Sequence, residues 1–254
     1  MTLAALIFDV DGTLADTERD GHRLAFNRAF DQAGLDWRWD VALYGRLLAV
    51  TGGKERMRHY VEHYRPDYRQ PAGFDDLVAR LHAAKTGYYT EMLAHGGIPL
   101  RPGVRRLLAE ARARGLRLAV ATTTTPANVS ALLHHALGTE GESWFEVIGA
   151  GDVVAAKKPA PDIYYYVLER LGLAPTQCLA FEDSENGLKA ARGAGIPTVI
   201  TINDYTRDHD FTGAALVLDS LGEADRPFTV LSGAAVNGAR YLDLALLQRL
   251  HASL

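Results

Sequence analysis

The stretch Ala4-Ala5-Leu6-Ile7-Phe8-Asp9-Val10-Asp11-Gly12-Thr13-Leu14 constrains the fold of this chain more than any other. An apolar run ends in two aspartates one residue apart, and a glycine follows. Such a run, bounded by a turn signal, predicts a buried parallel strand. Its end brings two carboxylates to the rim of an open sheet, where ligands of α/β folds bind. Acids this close repel when both ionise, and a cation relieves the repulsion. Oxygen-only ligands suit Mg2+. A plain strand followed by an Asp-Gly turn leaves the same pattern, so the rest of the chain has to decide.

After this strand the periodicity is helical over 18–33, 41–50, 54–64 and 74–94. The Gly/Pro-rich stretch from Gly96 to Gly103 breaks it. From there the pattern alternates. Helices are predicted over 104–114, 127–136, 163–171 and 185–192, and strands over 116–121, 145–148, 178–181 and 198–201. Such alternation specifies βαβ units and a parallel sheet. The predicted organisation is an α/β core from residues 1–15 and 100–254, with a helical cap inserted at 16–99. Hinges are expected near Ala15-Asp16-Thr17 and Gly96-Gly97. Residues 204–212 read as a loop. Tyr241, Leu242, Leu244, Leu246, Leu247 and Leu250 predict a last amphipathic helix whose apolar face joins the core. The role of the segment after about residue 222 is otherwise open.

Composition narrows the function. The 254 residues suffice for a substantial core. A formal charge of −4 argues against a nucleic-acid surface, yet leaves room for a locally basic site that takes an anion. The single cysteine, Cys178, excludes an internal disulfide and fits a reducing compartment. Neither a signal peptide nor a stretch of bilayer length stands out. The expectation is a monomeric cytoplasmic chain without membrane or nucleic-acid partners.

Three later strands also end in polar clusters. Thr122-Thr123-Thr124-Thr125 offers hydroxyls and free amides ahead of a helix, which suits a phosphate, although a β-favouring threonine turn reads the same way. In Lys157-Lys158-Pro159-Ala160-Pro161-Asp162 the prolines stiffen the loop and fix a lysine in space, while Lys157 itself reads as solvated. Phe181-Glu182-Asp183-Ser184 repeats the passage from apolar strand to acids, and Asp183 is either a metal ligand or the cap of the next helix. A parallel sheet gathers these strand ends on one edge. Carboxylates around Mg2+, a hydroxyl and a lysine form a balanced set for a phosphoryl group.

The order Asp9-Val10-Asp11-Gly12-Thr13, Thr122, Lys158-Pro159, Glu182-Asp183 resembles the haloacid dehalogenase-like phosphohydrolases, and the helical insert sits where their type I cap sits on a Rossmann-like core. The resemblance implies a catalytic set of Asp9, Asp11, Thr122 and Lys158. Asp9 is the nucleophile that forms an aspartyl-phosphate, and Asp11 is the acid and base. Thr122 and Lys158 clamp the phosphoryl group. Asp9, the backbone carbonyl of Asp11, and Asp183 hold Mg2+, with Glu182 behind them.

Thr51-Gly52-Gly53-Lys54-Glu55-Arg56 in the insert suits an anion at a helix start, or equally a Gly-Gly turn before a charged helix. With Asp16-Thr17-Glu18, Ala121-Thr122-Thr123-Thr124 and Lys157-Lys158-Pro159, it resembles the CbbY branch. That branch implies sugar bisphosphate phosphatases of the Calvin–Benson–Bassham pathway that remove Rubisco misfire products, typically xylulose-1,5-bisphosphate. It places the second phosphate at Gly52, Gly53, Lys54 and Arg56. His82 and Lys85 are implied as further cap contacts, Glu18 as a sugar-hydroxyl contact, and Thr123, Thr124 and Asn128 as contacts from the core. His22 reads by default as a surface histidine. A phosphosugar mutase, a phosphoglycolate phosphatase and a catalytically silent binding protein on the same fold stand as the alternatives.

Overall fold

A computed structural model describes residues 2–254. Its centre is a seven-stranded sheet in the order β3-β2-β1-β4-β5-β6-β7. These are β1 (Ala5–Phe8), β2 (Arg117–Ala121), β3 (Val147–Gly149), β4 (Cys178–Glu182), β5 (Thr198–Thr201), β6 (Leu216–Leu218) and β7 (Val230–Gly233). Every pairing is parallel except that of β6 with β7. Side chains alternate between two cores, as a sheet covered on both faces requires. Leu6 and Phe8 of β1 face one core and Ala5 and Ile7 the other. The first core is closed by α5 (Val104–Ala113), α6 (Pro126–Leu137) and α9 (Leu244–Ala252), the second by α7 (Asp162–Leu171) and α8 (Glu185–Gly193).

Between β1 and α5 the regular elements are all helical: α1 (Arg23–Gln32), α2 (Val41–Leu47), α3 (Gly53–Tyr64) and α4 (Phe74–Ala94). They enclose an aromatic core of their own with Phe26, Phe30, Trp37, Trp39, Tyr44 and Tyr60. The fold is the expected α/β sheet with a helical insertion.

Several local expectations are corrected. The helix expected over 18–33 begins as a π-helical turn, Glu18–His22. Gly21 lies in that turn, and a β-carbon there would approach Ile98 to 2.6 Å. The strand expected over 145–148 lies at Val147–Gly149, because a short 3-10 turn occupies Glu142–Trp144 first. The last helix begins at Leu244, where Asp243 caps the amide of Leu246. Strands β6 and β7 were not predicted; both are short, and β7 is exposed throughout.

Arg101 ties the two linkers of the insertion to the sheet edge. Ala15 bridges to Leu100, and the Arg101 amide donates to the Leu14 carbonyl. The buried guanidinium donates to the carbonyls of Gly12, Thr201, Ile202 and Asp219, and Nε faces Asp16 at 3.3 Å.

Candidate active site

The C-terminal ends of β1, β2 and β4 bring Asp9, Thr122, Glu182 and Asp183 to one cavity, together with Asp11 and Lys158. Lys158 is buried and donates to Asp9 Oδ1 at 2.7 Å, Glu182 Oε1 at 2.5 Å and the Ala121 carbonyl at 2.8 Å. Tyr164 of α7 donates to the same Glu182 oxygen at 2.6 Å. Asp183 accepts from Asn203 at 2.7 Å. Ser184, not Asp183, caps α8 through the amide of Gly187, so Asp183 is released for the cavity.

Carboxylate oxygens of Asp9, Glu182 and Asp183 lie within 4.8 Å of one another. Burial pushes Asp9 up to about 8 against the pull of Lys158, with Glu182 and Asp11 adding to the rise. Burial, then Asp9 and Glu182, push Asp183 well above the usual carboxylate range. Burial opposes the charge on Lys158, but Asp9 and Glu182 outweigh it and hold the ammonium protonated. If all three carboxylates were ionised, one ammonium would leave two negative charges uncompensated, a repulsion that joins burial in pushing Asp9 and Asp183 up. An oxygen-only donor set with that deficit fits a hard divalent cation.

Asp11 turns its Oδ1 to Thr17 Oγ1 at 2.5 Å and His22 Nε2 at 2.8 Å. Burial opposes its charge, yet His22 and the Thr17 hydrogen bond bring it below the usual range. His22 is therefore no surface residue: it is buried, its ring centre 4.0 Å from that of Tyr89 and tilted 38° to it, and it is tied to Asp11.

The residues expected around a second phosphate do not converge on one point. Arg56 and Glu18 line the first cavity. Gly52, Gly53, Lys54 and His82 line a neighbouring one, and Thr123 borders both. Gly52 has φ 95°, and a β-carbon on Gly53 would lie 2.8 Å from the His82 ring. Both glycines are thus demanded by backbone and packing, whatever binds there. Lys54 reaches across to Asp152 at 2.7 Å, and Lys157 meets the same carboxylate at 2.6 Å. Lys157 also donates to the Gly151 carbonyl and is largely buried, which corrects its reading as solvated. Burial, then Lys85 and Lys54, lower His82 to about 4, so in the free protein it is a neutral imidazole at pH 7. Lys85 and Asn128 are on the walls of neither cavity. Lys85 lies buried with its ammonium 5.2 Å from the Phe26 ring centre and 5.4 Å from that of Tyr89. Asn128 is buried and donates to Thr124 Oγ1 at 2.9 Å, so the pair braces the start of α6.

Sequence reasoning missed Tyr164, Asn203, Thr17 and Tyr44. Asn203 had a signal, because the strand-end rule that found Asp183 applies equally just after β5. Tyr164 and Tyr44 had none, since a tyrosine in an amphipathic helix reads as core.

Known proteins resemble this chain over most of its length. A family model of the haloacid dehalogenase-like hydrolases matches residues 3–195. The chain is 52% identical over 250 residues to the plasmid-borne protein CbbY of Cupriavidus necator, covering 98% of this chain and 97% of that one. It is 51% identical over 224 residues to CbbY of Rhodobacter capsulatus, covering 88% and 96%. The crystal structure of CbbY from Rhodobacter sphaeroides with phosphate superposes with a TM-score of 0.80 at 47% identity, over 86% of this chain and 95% of that one. A mutant of that protein in complex with xylulose-(1,5)bisphosphate superposes with the same TM-score at 46% identity. This chain belongs to the haloacid dehalogenase-like hydrolases, in their CbbY branch.

Proposed function

We propose that this enzyme removes a phosphate from a sugar bisphosphate, xylulose-1,5-bisphosphate first among them, in a Mg2+-dependent reaction that passes through an aspartyl-phosphate. The observation that carries the reading is the Asp9 carboxylate, fixed by Lys158 beside Asp183 on the wall of a cavity. The bisphosphate held by the R. sphaeroides relative supports the substrate class.

Asp9, Asp183 and the backbone carbonyl of Asp11 would hold the Mg2+, with Glu182 behind them. When bound, Mg2+ would neutralise phosphoryl oxygens that otherwise repel the carboxylates. Lys158 holds Asp9 through Oδ1, and the other Asp9 oxygen attacks phosphorus. The phosphorus–ester oxygen bond breaks as the Asp9 oxygen–phosphorus bond forms, and Asp11, which must first leave Thr17 and His22 and take up a proton, gives that proton to the departing sugar oxygen. Thr122 would bind one equatorial oxygen, and Lys158, whose three N–H groups go to Asp9, Glu182 and the Ala121 carbonyl in the free enzyme, would give up one of these to bind another. Asp11 then takes a proton from water, whose oxygen displaces Asp9 and yields inorganic phosphate. Glu182, pinned by Tyr164, keeps Lys158 aimed.

The second phosphate would reach the neighbouring cavity past Thr123 and meet Lys54 and the amides of Gly52 and Gly53 there. We read residues 16–99 as a cap and 1–15 with 100–254 as the catalytic core. Closure of the cap on a correct sugar would exclude water from Asp9. The enzyme would serve carbon fixation by clearing sugar bisphosphates that inhibit Rubisco.

The test is phosphate release from a panel of sugar mono- and bisphosphates, with Mg2+ and with EDTA, for the wild type and Asp9→Asn. Mg2+-dependent release from a pentulose bisphosphate, lost in the folded variant, is expected. Interconversion of sugar monophosphates without net release would replace the phosphatase by a mutase. Undiminished release by Asp9→Asn would reject Asp9 as nucleophile.

A further inference from the structure

Tyr44 lies fully buried in α2, inside the aromatic core of the insertion. Its hydroxyl nevertheless donates to Glu18 Oε2 at 2.5 Å, and Arg56 of α3 donates Nη1 to that hydroxyl at 3.0 Å. Arg56 Nε is anchored on the Val50 carbonyl at 3.3 Å. A guanidinium only donates and a phenol carries one proton. Arg56 therefore occupies a lone pair of Tyr44, and the phenolic proton is committed to Glu18. The polarity of the chain runs one way, from Arg56 through Tyr44 to Glu18.

That polarity has consequences at the cavity wall, which Glu18 and Arg56 both line. Glu18 is held by one oxygen in a single orientation, and its other oxygen is left as an acceptor. An acceptor of this kind takes a hydroxyl donor and repels an anionic oxygen. Arg56, with its guanidinium 5.2 Å from the Tyr44 ring centre and two donors engaged, serves the relay. On the neighbouring cavity Lys54 and Lys157, both paired with Asp152, are the cations a remote phosphate would meet.

We propose that Tyr44 is a positioning residue for specificity: through Glu18, and backed by Arg56, it presents a fixed acceptor to a hydroxyl of the bound ester. This rests on reading the cavity as a sugar phosphate site. The Arg56–Tyr44–Glu18 chain also sets the direction in which a bisphosphate lies, with its hydroxyls toward Glu18 and its remote phosphate away from it.

The experiment is a cycle of Tyr44→Phe, Glu18→Ala and the double variant, assayed on xylulose-1,5-bisphosphate and on p-nitrophenyl phosphate. The loss of one hydrogen bond to a charged group predicts that Tyr44→Phe raises KM for the sugar ester about tenfold. Its kcat/KM for the aryl phosphate, which has no hydroxyl to place, stays within about twofold on the same grounds. In the Glu18→Ala background, Tyr44→Phe has no further effect on the sugar ester, because its route to the substrate is gone. A Tyr44→Phe loss of the same size with and without Glu18, or an equal loss on both substrates, overturns the proposal and marks Tyr44 as a packing residue. A wild type that hydrolyses the aryl phosphate but no sugar phosphate overturns the substrate class, and the relay's role falls with it.

Discussion

Replacing Lys85 by methionine is expected to stabilise the folded chain. The ammonium is buried, and its neighbours are the faces of Phe26 and Tyr89. Burial drives its pKa from 10.5 down to about 8, with Asp11 and Glu18 working the other way. A displacement of that size corresponds to about 3 kcal/mol of destabilisation at neutral pH. The two aromatic faces return part of it, about 0.5–2 kcal/mol. Methionine fills similar space without the charge. Lys85→Met is therefore expected to gain about 1–3 kcal/mol at pH 7, a rise in Tm of roughly 2–4 °C for each kcal/mol in a chain of this size. The sign comes from proton counting. Between about pH 8 and 10.5 the unfolded lysine binds more protons than the folded one, so wild-type stability rises with pH across that window. The variant lacks this term. Its advantage is complete below pH 8 and disappears near pH 10.5. Urea unfolding of both proteins at pH 7 and pH 10 measures it, with each pair compared at one pH so that other titrating groups cancel. A variant less stable than wild type at pH 7, or a difference that does not change with pH, would refute the reasoning.

Lys54→Ala is expected to lower turnover of a bisphosphate at least tenfold more than turnover of p-nitrophenyl phosphate, at about 1.4 kcal/mol per factor of ten; equal losses would place Lys54 outside remote phosphate binding. Asp152→Asn releases Lys54 from its ion pair and is expected to lower KM for the bisphosphate, which initial-rate kinetics will show. Arg101→Lys leaves carbonyls among Gly12, Thr201, Ile202 and Asp219 unpaired and should cost about 2–4 kcal/mol in urea unfolding at 1–3 kcal/mol per buried group; an unchanged midpoint would deny Arg101 its bracing role. Saturating Mg2+ is expected to raise stability by about 3 kcal/mol at a hundredfold excess over Kd, and Asp183→Asn should abolish that increment in a thermal scan.

Much of the catalytic edge was legible because one rule generated it. Buried parallel strands announce themselves as apolar runs, and the residues just beyond the C-terminal end of such a run must sit at the ligand-binding rim. Asp9, Thr122 and Asp183 were found that way, and the predicted bounds of α4 (Phe74–Ala94) and β5 (Thr198–Thr201) match the structure. Strand β7 was missed because all four of its residues are exposed, which leaves no buried apolar run to mark it, while β6 was passed over although Leu216-Val217-Leu218 is the kind of apolar run that marked β1. The insertion was legible as helices but not as a site. Its Gly-Gly-Lys and Arg residues are adjacent in sequence, yet a helix turns neighbours about 100° apart, so Lys54 and Arg56 open on different cavities.

The sequence by itself determined the parallel sheet, the helical insertion and the set of strand-end groups, since these are dictated by local periodicity and by turns. Only the tertiary structure decided which groups are bound to which. It set Lys158 between Asp9 and Glu182, His22 and Thr17 on Asp11, and Tyr44 between Arg56 and Glu18. Those pairings join residues from 6 to 149 positions apart. Burial makes them obligatory, because a charge or hydroxyl removed from water must find its partner inside the fold.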